Sequence, residues 1–183
     1  SLLFVNKTHF GTPDVQKFSN KRLVLLSNPS LLLIQQRRLA ADVLEPLIEQ
    51  GKLYADRRTN AVFLMVAGKV NRPVGAELRG TGKRVWRGLA PGTRKNAGYF
   101  WIGAAGSKQI VLCESAIDAI SCFQLHTQVH GAQLRRECIC ISTAGVRPDA
   151  PWLPPLLARG YDIYCGFDAD EPGEAASRQL IAR

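Results

Sequence analysis

Four carboxylates in two short clusters carry the most legible chemistry of this sequence: Glu114 and Asp118 in the first, Asp168 and Asp170 in the second. Acids at such spacing hold hard divalent cations through oxygen, Mg²⁺ or Mn²⁺ in particular. In extended chain, residues two apart point to the same face at roughly 6.6 Å, so Asp168 and Asp170 can share one or two hydrated ions. Phosphoryl transfer needs such ions, because charge develops on the attacking and leaving oxygens and the cation stabilises both.

Each cluster sits where an apolar run gives way to a helical one. Gln109 to Cys113 is short, rich in branched residues, and followed by a helical stretch from Ala116 to Gln128, which puts Glu114 at the carboxyl end of a strand. Asp162 to Phe167 repeats the pattern, with Pro172 in the first turn of a helix opened by Glu171. Between them lie a strand over residues 137–142, a glycine turn at Gly145 and a helix around Trp152 to Arg159. Strands alternating with helices predict an α/β unit, residues 107–183, with a parallel sheet and flanking helices. Ligands of such sheets bind outside the strand carboxyl ends.

The preceding region has another character. Residues 1–106 hold 17 Lys and Arg against 6 Asp and Glu (+11), and residues 107–183 hold 7 against 9 (−2). A basic half beside an acidic, cation-competent half suits a nucleic-acid phosphate backbone. Residues 1–29 are left unassigned. Residues 30–106 read as a small α+β domain, opening with a helical hairpin in which Asp42 is the N-cap, Glu45 lies three residues on, and a stripe of Val43, Leu44, Leu47 and Ile48 ends at Gly51. Strand-like segments over 52–56, 61–67, 74–79 and 99–102 predict a small antiparallel sheet. The glycine-rich loop 80–98 brings Lys83, Arg84, Arg87, Arg94 and Lys95 together with Trp86, and Arg79 precedes it. These residues could bind a single-stranded DNA or RNA backbone with base stacking, or form a solvated loop around a buried Trp.

Five cysteines, an odd count falling mostly in apolar runs, argue against a secreted disulfide framework and for a reducing cytoplasm. No apolar stretch approaches the roughly 18 residues of a membrane span, and no signal peptide opens the chain. The sequence lacks an initiator Met and stops inside a helical run, as a segment of a longer protein would. Cys122, His126 and His130 recur every four residues, but Cys138 and Cys140 alternate as core residues do, so a zinc site is not the expected reading.

A strand ending in Glu, an Asp four residues on at a helix start, and a later strand ending in Asp-x-Asp with a glycine close behind resemble the Toprim domain. That domain is shared by bacterial-type primases, type IA and type II topoisomerases, overcoming-lysogenization-defect nucleases and recombination mediators. Residues 114–121 are similar to Toprim modules of plasmid and mobile-element proteins, often primase-related, in which an uncharacterised domain comes first. Residues 30–106 are similar to that domain at 51–56, 60–63, 79–80 and 90–93. The resemblance implies Glu114 as general acid/base or metal ligand, Asp168 and Asp170 as Mg²⁺ ligands, and Asp118 in support. It implies a primase-like nucleotidyltransferase of mobile-element replication that uses nucleotides and meets other replication proteins. An Mg²⁺-dependent nuclease and a non-catalytic nucleic-acid scaffold are the alternatives. Tyr54, Tyr99, Tyr161 and Tyr164 lack any context of a nucleophile, so topoisomerase activity is not expected. Two of the acids have structural readings as well: Ser115 with Asp118 approximates a capping box, and Asp170 can cap the helix after it.

Overall fold

In the computed structural model the described residues are 32–67, 72–81, 86–104, 106–130 and 138–182, so the N-terminal segment, Lys83 and Arg84 lie outside them. Two four-stranded sheets face one shared core. The first is antiparallel, with β1 (Leu53–Ala55), β2 (Ala61–Ala67), β3 (Arg72–Arg79) and β4 (Arg87–Leu89) in that order. The second contains β5 (Phe100–Gly103), β6 (Gln109–Cys113), β7 (Cys138–Ser142) and β8 (Asp162–Gly166) in the order β5-β7-β6-β8. β6 is parallel to both β7 and β8, whereas β5 runs antiparallel to β7. The α/β class and its flanking helices are therefore as expected, with one antiparallel edge.

Helices α1 (Ala41–Glu49) and α2 (Ala116–His130) pack in the core between the sheets, and α3 (Pro154–Leu157) and α4 (Glu171–Ile181) cover the far side of the second sheet. Strand alternation sorts the side chains. Phe100, Ile102, Val111, Cys113, Cys138 and Cys140 face the shared core, where Phe63 of β2 meets Phe100 edge-on at 5.7 Å between ring centroids. Ile110, Leu112 and Ile141 point the other way, onto Leu153, Leu156 and Leu180. All five cysteines remain thiols.

Three features depart from expectation. The hairpin's first arm is a five-residue π turn, Leu32–Gln36, that breaks at Arg38 with φ 55°. Asp42 is not the N-cap of α1; Ala40 occupies that place, its N–H donating to the Gln124 carboxamide of α2 at 2.7 Å. Gln124 also donates to the Arg38 carbonyl, so a tertiary contact sets the helix start where local capping would have set it later. The segment over 99–102 joins the second sheet and is linked by backbone hydrogen bonds to the first through a Tyr99–Val66 bridge. Within the glycine-rich loop, β4 pairs with β3 and Trp86 lies against the hairpin: a Cβ at Gly80 would stand 2.4 Å from Trp86 Cδ1.

Candidate active site at the junction of the sheets

Because β6 and β8 are adjacent and parallel, their carboxyl ends lie side by side, and the acidic clusters follow directly. The Asp168 N–H donates to Glu114 Oε1 at 3.1 Å, which ties the two strand ends together. The loop after β7 fixes the end of β6 from the other flank. Thr143 donates to the Cys113 carbonyl through both its N–H (2.8 Å) and its hydroxyl (3.0 Å), and the Gly145 N–H donates to the Glu114 carbonyl at 2.7 Å. Sequence reading had assigned that loop only a glycine turn.

Both helices that start here are capped by side-chain oxygens, Ser115 for α2 and Asp170 for α4. Ser115 Oγ accepts from the Asp118 N–H at 3.3 Å and donates to Asp118 Oδ2 at 2.6 Å, which is the serine half of a capping box, and Asp118 also lines the cleft. Asp170 is the N-cap of α4, accepting from the Gly173 N–H at 2.9 Å. A Cβ at Gly173 would come within 2.0 Å of the Asp168 carbonyl, so only glycine lets α4 approach the acidic turn this closely.

The Glu114 carboxyl is raised above the ordinary carboxylate range, first by partial burial and then by the charges of Asp168, Asp170 and Asp118; the Asp168 N–H opposes the rise. A cation would relieve this repulsion, and the all-carboxylate donor set has the chemistry of a hard divalent ion. Among the described residues no three ligating side chains form a ready-made cage. A divalent cation held there would take its remaining ligands from water or from substrate phosphates.

The cleft is a cavity of about 450 Å³ whose other wall comes from the first sheet. Arg79 and Arg87 line it, as does Arg37, the residue after the π turn, where the helical hairpin of the sequence reading breaks. The Arg79 guanidinium is held below its ordinary value first by burial and then by Arg37 and Arg87, with Asp118 pulling the other way. Lys95 instead faces the junction near Glu77, Arg147 and Asp149, and Arg94 and Trp86 are exposed outside the cavity lining.

Glu77 is the residue that sequence reasoning missed most clearly. It is 8% exposed, lines the cavity, and accepts from the Ala116 N–H at 3.0 Å through Oε2, with the Ser142 hydroxyl as a second polar neighbour. Burial pushes its carboxyl up to about 7, Ser142 and the Ala116 N–H lower it, Asp118 raises it, and Lys95 lowers it. The only sequence signal was a lone acid inside an apolar strand.

Two family models match the sequence: a protein of unknown function (DUF3991) over residues 32–104, and a Toprim-like model over residues 111–183. No curated protein matches it. Among solved structures the chain is similar to the primase fragment of the bacteriophage T7 primase-helicase protein, with TM-score 0.51 and 16% identity, covering 74% of this chain and 55% of that one. The likeness is one of fold, and this chain spans only 55% of that fragment. It is also similar to a structure of bacteriophage T7 lagging-strand DNA polymerase interacting with primase domains of two subunits bound to an RNA/DNA hybrid and dTTP. There the TM-score is 0.47 and the identity 15%, over 75% of this chain and 68% of that one.

Proposed function

We propose that this chain, in which a DUF3991 model matches residues 32–104 and a Toprim-like model residues 111–183, is a primase-like nucleotidyltransferase dependent on a divalent cation and serving the replication of a mobile genetic element. The observation that carries this reading is the bond from the Asp168 N–H to Glu114 Oε1, 3.1 Å, which places two acidic strand ends on one cleft. Glu114, Asp168 and Asp170 would hold Mg²⁺ or Mn²⁺, whose charge stabilises the attacking and leaving oxygens of phosphoryl transfer. Glu114 Oε1 is engaged by the Asp168 N–H, which leaves Oε2 either to face the cation or to take up and return a proton. Asp118, locked to Ser115, keeps the first turn of α2 beside Glu114. The basic first segment supplies attraction for a single-stranded DNA or RNA template. Thiol cysteines, and the absence among the described residues of any helix long and apolar enough to cross a membrane, are consistent with a cytoplasmic site of action.

The test is primer synthesis from nucleoside triphosphates on single-stranded DNA, with Mg²⁺ or Mn²⁺, by the wild-type chain and by Glu114→Gln. Loss of turnover by about 10²- to 10⁴-fold with template binding retained is expected. Equal activity in both proteins would remove Glu114 from the chemistry. Degradation of DNA without nucleotides would make the same carboxylates a nuclease site, and template binding without any turnover would make the chain a scaffold.

A further inference from the structure

Four of the five cysteines meet beneath the strand end that carries Glu114. Cys113 of β6 and Cys138 and Cys140 of β7 face the shared core, and Cys122 of α2 packs down onto them. Register sets their order: Cys140 stands beside Val111, one pleat short of Cys113, and α2 lies over β7 more than over β6. The Cys122 thiol is hydrogen-bonded to both Cys113 and Cys140, and Cys140 to Cys138, so sulfurs from one helix and two strands form a connected chain. Among the described residues they make no metal cage, which would want four ligands around one point.

The four are not equivalent. Cys113, Cys138 and Cys140 are buried, whereas Cys122 is half-buried and is the one a small solute meets first. Hydrogen bonds from Cys113 and then Cys140 favour a negative Cys122 sulfur, burial opposes it, and His126, one turn further along α2, adds a smaller pull in its favour. The same bonds push the Cys113 and Cys140 thiols up. Thiolate is the reactive form of cysteine, and an accessible one with a second thiol beside it is the pair that oxidation closes into a disulfide. Depth in the fold selects the second thiol. Cys122 lies about 9 Å along α2 from Ala116, and Cys140, level with Val111, lies about 10 Å back from Glu114 along the strands. Cys113 adjoins Glu114 and sits nearer the cleft than either.

We propose that Cys122 and Cys140 form a reversible oxidative modification site, which a peroxide converts to a disulfide joining α2 to β7. The Cys122 thiolate attacks one oxygen of hydrogen peroxide, the O–O bond breaks, and Cys122 becomes a sulfenic acid while the departing hydroxide takes up the thiol proton as water. The Cys140 sulfur then attacks Cys122 Sγ, the S–O bond breaks, and the hydroxyl departs with the Cys140 proton as a second water. Both sulfurs are oxidised, the peroxide is reduced, and a thiol reductant reverses the bridge. The bridge joins the two elements that hold the acidic strand end, since α2 starts just after Glu114 and the loop after β7 bonds the Glu114 carbonyl.

Graded hydrogen peroxide treatment of the full reduced chain tests it, followed by alkylation of the remaining thiols in denaturant and mass spectrometry of non-reduced peptides. Wild type, Cys122→Ser and Cys165→Ser are compared; Cys165 is the control, because it packs in the other core, on the far side of the second sheet. Wild type should lose about 2 Da as a Cys122–Cys140 cross-link that dithiothreitol removes. Cys165→Ser should do the same at the wild-type rate, whereas Cys122→Ser should form no cross-link and consume peroxide at least about tenfold more slowly. The wild-type peptide map decides the pairing whatever the stability of the variants. A cross-link from Cys122 to Cys113, oxidation of Cys165 ahead of Cys122, or sulfonic acid without a cross-link overturns the assignment. Wild type inert to peroxide at levels that oxidise free cysteine overturns it too, as does equal peroxide consumption by Cys122→Ser.

Discussion

Replacing Glu77 by Gln should make the protein more stable, and by an amount that depends on pH. The side chain is 8% exposed, and burial moves its carboxyl from 4.5 to about 7. At 1.36 kcal/mol per tenfold, the penalty on the ionised form is about 3 kcal/mol. Between pH 4.5 and about 7 the unfolded chain has released this proton while the native chain keeps it, so the penalty is absent below pH 4.5, grows as pH rises, and is complete above about 7. Glutamine retains an oxygen for the Ala116 N–H, now 3.0 Å from Glu77 Oε2, and has no proton to lose. The advantage of Glu77→Gln over wild type should therefore grow by up to ~1.4 kcal/mol per pH unit and level off near 3 kcal/mol above pH 7. Urea unfolding followed by tryptophan fluorescence from pH 5 to pH 8 measures it. A difference that stays flat across that range, or that favours wild type increasingly as pH rises, would refute the assignment of Glu77 as a buried acid held in its neutral form.

Gly173→Ala should cost about 1–3 kcal/mol in thermal unfolding, because the new Cβ meets the Asp168 carbonyl at 2.0 Å and α4 must withdraw from the acidic turn; Mg²⁺ affinity measured by calorimetry should fall with it. Asp170 serves two roles that different substitutions separate. Asp170→Ser keeps an N-cap oxygen for the Gly173 N–H and should leave stability close to wild type while weakening Mg²⁺ binding, whereas Asp170→Ala should add a loss of about 1 kcal/mol in unfolding free energy.

The second sheet was legible because its signals are local. Gln109–Cys113 and Asp162–Gly166 are runs of five residues with acids just beyond their carboxyl ends, and Asp170 with Pro172 announces a helix start without help from elsewhere in the chain. What escaped depends on partners distant in sequence. The strand around Phe100 has the same pattern whichever sheet it joins, and β7 decides the matter. The start of α1 follows from Gln124, 84 residues away, rather than from Asp42. Arg37 reads as a helical residue until that contact forces the break, and Glu77 becomes buried only when the first sheet closes over α2. The basic loop was visible as composition, yet its members part company in space: Arg79 and Arg87 line the cleft while Lys95 turns to the junction.

The placement of β5 bears on how such a chain can be inherited. By sequence it falls within the first family segment, residues 32–104, yet its hydrogen-bonded neighbour β7 belongs to the second, residues 111–183. A genetic crossover in the short stretch between these segments would hand the recipient a Toprim sheet with an open edge at β7 and leave the donor a strand with nothing to pair against. Phe63 and Phe100 would lose one another as well. Selection against such exchanges would keep the two segments travelling together, so that a boundary evident in sequence is no joint in the folded protein.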